Sequence, residues 1–193
     1  MSTARLTGAQ TVGPFFHPAL LREDARRNVL VQPETEGERI RIEGCVYDGD
    51  GVPVPDAMVE IWQANHYGRH RHPLDQRPLP LDPTFIGFGR CGTDDAGRYW
   101  FETIKPGPVS FDGERSQAPH ICVLVFARGL LNHLVTRLYF ADEPANAADP
   151  VLQRVPPERR ETLIAQRAVV DGAVVYRFDI VLQGDGETVF FNI

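Results

Sequence analysis

Apolar and polar residues alternate with a period of two along several short stretches of this chain, and turn residues separate the stretches. Ile40, Ile42, Gly44 and Val46 alternate with Arg41, Glu43 and Cys45. Tyr176, Phe178, Ile180 and Leu182 alternate with Arg177 and Asp179 within Val174–Leu182. That period puts one set of side chains on one face of an extended strand, so both stretches predict half-buried strands. Met58–Trp62, Gly87–Thr93, Arg98–Ile104, His120–Ala127, Leu134–Phe140 and Val189–Phe191 predict the others. Asp48-Gly49-Asp50-Gly51 is a strong turn, and Asp94-Asp95-Ala96-Gly97 predicts a hairpin between its flanking strands. One helix is expected from Pro157-Glu158-Arg159-Arg160-Glu161, with a proline and an acid in its first turn and Leu163 and Ile164 on its apolar side. The pattern predicts an all-β fold, an antiparallel β-sandwich with one or two short helices.

Residues 1–38 read as an N-terminal arm and residues 39–193 as one sandwich domain. The arm carries a tight turn at Gly13-Pro14 followed by Phe15 and Phe16, a short apolar run at Asn28-Val29-Leu30-Val31, and a loop from Pro33 to Glu38. Two uses fit it: covering a neighbouring subunit, or packing on its own core.

Composition narrows the function classes. With 42% hydrophobic residues there is material for a sizeable core, and 16 prolines with 17 glycines suit short strands better than helices. The net charge is −6 with no Lys/Arg-rich block, which argues against a nucleic-acid partner. No apolar run is long enough to span a bilayer, and the first ten residues lack a signal-peptide pattern. Cys45, Cys91 and Cys122 form no close pairing motif, so a reducing cytoplasm is expected.

Candidate chemistry centres on His120-Ile121-Cys122. Residues two apart on a strand point the same way, so His120 and Cys122 should face one site, as a pair of metal ligands would. His66, His70 and His72 lie in the loop after Trp62; there Arg69, Arg71 and Arg77 oppose cation binding. Arg137 is flanked at i±2 by Val135 and Tyr139 on a half-apolar face. Such an arginine needs an anion, either a structural ion-pair partner or a carboxylate ligand.

The order of segments is more specific than any one residue. It runs Glu60-Ile61-Trp62-Gln63-Ala64-Asn65, Gly68-Arg69-His70-Arg71-His72, Pro80-Leu81-Asp82-Pro83, Thr103-Ile104-Lys105-Pro106-Gly107-Pro108 and Ala118-Pro119-His120-Ile121. From about Thr11 to its end the chain resembles the intradiol ring-cleavage dioxygenases. That family holds ferric iron with two tyrosines and two histidines. The first tyrosine position here carries His70, the second Val109, and the His-x-His pair is His120 and Cys122. One ligand of four remains, and both anionic oxygens that suit Fe(III) are gone.

The resemblance implies a non-iron α subunit of an α/β oligomer, with Fe(III) held by the β chain and no metal in this chain. The complex would use O2 to cleave protocatechuate (3,4-dihydroxybenzoate) to 3-carboxy-cis,cis-muconate, in aromatic catabolism through the β-ketoadipate pathway. It further implies that Thr11, Gly13, Pro14 and Phe15 of the arm, and Arg137, reach the iron-bearing chain's substrate pocket. Two other readings stay open: a metal-free sandwich that scaffolds or binds a small aromatic, and a single-chain enzyme with an altered His70/His120/Cys122 metal site.

Overall fold

The computed structural model describes residues 19–192. Its strands are β1 (Arg39–Tyr47), β2 (Met58–Trp62), β3 (Phe88–Gly92), β4 (Arg98–Ile104), β5 (Val109–Ser110), β6 (Ser116–Gln117), β7 (His120–Phe126), β8 (Leu134–Phe140), β9 (Ile164–Val170), β10 (Ala173–Arg177) and β11 (Ile180–Val181). Nine of them make one continuous sheet, with β3, β2, β7 and β8 in one half, β10, β11, β1 and β4 in the other, and β9 joining the halves. The sheet folds over a core that includes Ile42, Val46, Ile61, Phe101, Val123, Leu138, Phe140 and Tyr176. Each such side chain contributes about 1.5–3 kcal/mol on burial. The predicted all-β sandwich is therefore present, with a short β5–β6 hairpin outside the main sheet.

The pairing is mixed rather than purely antiparallel. β1 runs parallel to β10 and β11, and β8 runs parallel to β9. The alternation over 174–182 holds in burial but is broken as a strand at Phe178-Asp179. There the Asp179 carboxylate, in place of a backbone carbonyl, accepts from the Cys45 N–H at 2.8 Å. The Asp94–Gly97 turn also forms: Asp94 Oδ1 accepts from the N–H groups of Ala96 and Arg98, each at 2.9 Å. Its flanking strands part, however, β3 pairing with β2 and β4 with β1. β3 lies flat on the core because Gly89 leaves room for Ile61, Leu30 and Phe101, which a Cβ there would meet at 2.9–3.0 Å. Residues 27–30 fill the gap between the parted strands. Arg27 bridges to Arg90, Val29 bridges to Glu102, and Leu30 is buried in the core.

Two expectations change near the C-terminus. Pro157–Leu163 forms a 3-10 helix, and the chain becomes strand β9 at Ile164, which the sequence reading had placed on the helix. β9 and β10 close around Asp171-Gly172, both at positive φ (50° and 82°), as a two-residue hairpin turn requires. Val189–Phe191 is not a strand; it is tied to β8 by Thr136 Oγ1 donating to the Val189 carbonyl at 2.7 Å and the Phe191 N–H donating to the Val135 carbonyl at 2.7 Å.

Candidate functional site

Three neighbouring strands set out a row of side chains on the face of the sheet away from the core. Trp62 on β2 pairs with Cys122 on β7, which pairs with Arg137 on β8; His120 pairs with Tyr139 beside them. Paired residues share a face, while Ile121, Val123 and Leu138 between them turn into the core. The expectation that His120 and Cys122 face one site thus follows from the register of β7.

Loops cover this row. The imidazole of His70 stacks on the Trp62 ring, with centroids 5.8 Å apart and planes 18° from parallel. The His70 N–H donates to Asp75 Oδ2 at 2.8 Å, and Arg77 clamps the same carboxylate. Val109 sits on β5 opposite Gln117 on β6. The His70 and Val109 segments touch through Gly68 and Gly107. A Cβ on Gly68 (φ +81°) would stand 2.0 Å from the Pro108 carbonyl oxygen, and one on Gly107 would stand 2.4 Å from that of His66. His66 and His72 lie away from the row: His66 is near Glu36, and His72 Nδ1 accepts from the Leu74 N–H at 3.2 Å.

The electrostatics are those of a desolvated, largely neutral site. Burial, with the Arg137 charge adding to it, pushes the His120 pKa down to about 4. Its Nδ1 lies 2.7 Å from the Ala118 carbonyl, which fixes the proton on Nδ1. Burial pushes the Cys122 thiol and the Tyr139 phenol up, and pushes His70 down. Tyr139 donates to Asp149 Oδ1 at 3.0 Å. Arg137 Nη1 donates to Gln117 Oε1 at 2.7 Å. Among the described residues no carboxylate forms an ion pair with Arg137, so the structural ion-pair alternative finds no partner there. A separate hollow of 760 Å³ is lined by Arg41, Glu43, Cys45, Trp100 and Arg177, but its Glu43 already pairs with both Arg41 and Arg177 at 3.3 Å.

The family model described as Dioxygenase matches residues 12–184. The chain is 46% identical to the protocatechuate 3,4-dioxygenase alpha chain of Pseudomonas putida over 96% of both chains. It is 44% identical to the alpha chain from Burkholderia cepacia over the whole of both. It is also 40% identical to the beta chain of the B. cepacia enzyme, covering 96% of this chain and 79% of that one. The chain belongs to the intradiol dioxygenase family. Its fold is similar to the dioxygenase domain of a carbohydrate-binding fusion from Streptomyces sp. SirexAA-E, with TM-score 0.62 and 26% identity over 82% of this chain and 88% of that one.

The residues at the family's iron positions do not fit ferric iron. Val109 has no donor atom, and Cys122 is a thiol that burial keeps protonated. Neither histidine supplies an anionic oxygen. The one phenol nearby, Tyr139, is bonded to Asp149 and held protonated by burial. The Arg137 guanidinium opposite Cys122 repels a second cation. Among the described residues no three of His, Cys, Asp and Glu are grouped to hold a metal ion.

Of the residues singled out for a substrate pocket, Arg137 stands in the row, while Thr11, Gly13, Pro14 and Phe15 lie outside the described residues. Sequence reasoning missed Gln117 and Asp149. Asp149 is fully buried; Oδ1 accepts from Val151 and Leu152 N–H at 2.9 and 2.7 Å, and Oδ2 from Ala118 N–H at 2.8 Å. Its signal was the Asp149-Pro150 step, an aspartate capping a tight turn. Gln117 carried none.

Proposed function

We propose that this chain is the α subunit of a two-chain protocatechuate 3,4-dioxygenase, working with an iron-bearing β chain. The complex would cleave 3,4-dihydroxybenzoate with O2 to 3-carboxy-cis,cis-muconate. One observation carries the reading: the chain is 46% identical to a protocatechuate 3,4-dioxygenase alpha chain over nearly its whole length, yet of the four positions where the family places ligands only His120 keeps one, and Cys122 stands opposite Arg137. The reaction is then completed in the partner, and this chain contributes side chains, water exclusion and assembly.

In this reading the first part of the arm, Thr11 to Phe15, walls the partner's pocket, while residues 27–30 of the segment ahead of the sandwich pack between β3 and β4 of this chain. Arg137 orients the substrate carboxylate. The three unpaired cysteines suit a reducing cytoplasm, and no helix among the described residues is long and apolar enough to cross a membrane.

The test is elemental analysis and oxygen uptake on protocatechuate, for the chain alone and co-expressed with its β chain. Alone it should bind no stoichiometric ferric iron and consume no oxygen; the complex should do both. An iron-loaded, active preparation of the single chain would overturn the reading and favour an altered metal site in this chain.

A further inference from the structure

A half-buried guanidinium usually lies against a carboxylate, because its charge loses hydration that something must replace. Arg77 with Asp75 at 2.5 Å and Arg90 with Glu60 at 2.6 Å follow that rule. Arg69, Arg159 and Arg160 instead donate to backbone carbonyls that fix them in place. Arg137 does neither. Its Nη1 donates to the amide oxygen of Gln117 at 2.7 Å and stands 3.4 Å from the phenol oxygen of Tyr139. Both acceptors are neutral. Cys122 opposite it and His120 beside it carry no charge near neutral pH, since burial keeps the thiol protonated and the imidazole unprotonated. The acid in this network, Asp149, already accepts from Tyr139, Ala118, Val151 and Leu152. The phenol thus links Asp149 to the guanidinium while Asp149 itself bonds elsewhere.

We propose that Gln117 and Tyr139 are positioning residues that aim the Arg137 fork without neutralising it, leaving its charge for the carboxylate of an aromatic acid. The proposal rests on the reading of Arg137 given above: its guanidinium lies in this chain's own row beside Cys122, and that row has to open onto the partner's pocket in the complex. A neutral acceptor fixes one arm of the fork by an ordinary hydrogen bond, whereas a carboxylate at position 117 would engage it bidentately and compete with the ligand. Tyr139 ties the fork to Asp149, which three backbone N–H groups hold in place. The sequence places a glutamine where the more usual arginine partner, a glutamate, would close the site to anions.

The test uses the α/β complex and two unreactive probes, 4-hydroxybenzoate and phenol, which differ by the carboxylate. Dissociation constants come from calorimetry, with iron content and assembly checked for each variant. Gln117→Glu should weaken 4-hydroxybenzoate at least tenfold and change phenol less than twofold. On an Arg137→Gln background it should add nothing, because the two act as one unit. Tyr139→Phe should weaken 4-hydroxybenzoate about threefold with phenol unchanged, and it keeps the proposal testable if Gln117→Glu does not assemble. Unchanged 4-hydroxybenzoate binding in an assembled Gln117→Glu complex, while Arg137→Gln weakens it, overturns the proposal alone. Unchanged binding in Arg137→Gln overturns the reading of Arg137 beneath it.

Discussion

His120 Nδ1 lies 2.7 Å from the carbonyl oxygen of Ala118, and Ala118 in turn donates its N–H to the buried Asp149 at 2.8 Å. The imidazole is therefore locked as a neutral donor in a site that excludes water. Charging it would place a second cation near Arg137.

This makes stability fall on mild acidification. The folded pKa of His120, about 4, is below the unfolded value of about 6.5, so the unfolded chain takes up the proton first. The contribution is whole above pH of about 6.5, is lost as pH falls from there toward about 4, and changes no further below that. Between pH 7 and pH 5 the loss should be about 2 kcal/mol. His120→Asn keeps a donor for the Ala118 carbonyl and cannot titrate. Urea unfolding of both proteins at the two pH values checks this; equal pH dependence would show that His120 does not control it.

The strands legible in the sequence were those with a dry and a wet side. Met58–Trp62, Arg98–Ile104 and Leu134–Phe140 have the predicted boundaries. β9 escaped because its exposed half, with Val169 and Val170 open to solvent, breaks the alternation, and the Pro-Glu opening before it reads as a helix start. The signal was there in Val169-Val170-Asp171-Gly172-Ala173-Val174, a hairpin turn between apolar runs. The parallel partners of β1 lie more than a hundred residues further along the chain, and no local pattern encodes that pairing. In the site, spacing alone predicted that His120 and Cys122 share a face. Gln117 was illegible because a neutral amide in a two-residue strand acquires meaning only from the arginine across from it.

The glycine contact between the covering loops gives a structural prediction. Gly68 has φ +81°, and an added Cβ would overlap the Pro108 carbonyl oxygen at 2.0 Å. The overlap is with backbone, so relief requires a shift of the loop that carries His70 or of the loop that carries Val109. Gly68→Ala should destabilise the chain by about 2–3 kcal/mol, combining left-handed strain with the overlap. Thermal unfolding measures it, with Gly113→Ala, at φ +89° but in open space, as the comparison. Equal losses in the two variants would mean that backbone strain alone matters.

The arm, read from sequence, predicts a separable effect. Gly13-Pro14 lies outside the described residues, and its sequence predicts a turn that would let backbone approach a ligand closely. Deleting residues 1–17 should leave the β-chain iron in place and raise KM or lower kcat at least tenfold. Steady-state kinetics with iron analysis decide it, and an unchanged kcat/KM would assign the arm to packing on its own core.

Arg137 sets the final prediction. Protocatechuate differs from catechol by one carboxylate, which gives up hydration on entering a pocket. A guanidinium can return charge-assisted hydrogen bonds of about 1.5–3 kcal/mol each. In the complex, Arg137→Gln should lower kcat/KM for protocatechuate by roughly tenfold to a hundredfold, about 1.4–2.7 kcal/mol, and affect catechol much less. Arg137→Lys keeps the charge but loses the planar fork that Gln117 aims, so it should fall between the two. The ratio between substrates is the deciding quantity, because a merely structural arginine would lower both together. Equal losses with assembly intact would make Arg137 a packing residue, and the carboxylate would then have to be recognised by the β chain alone.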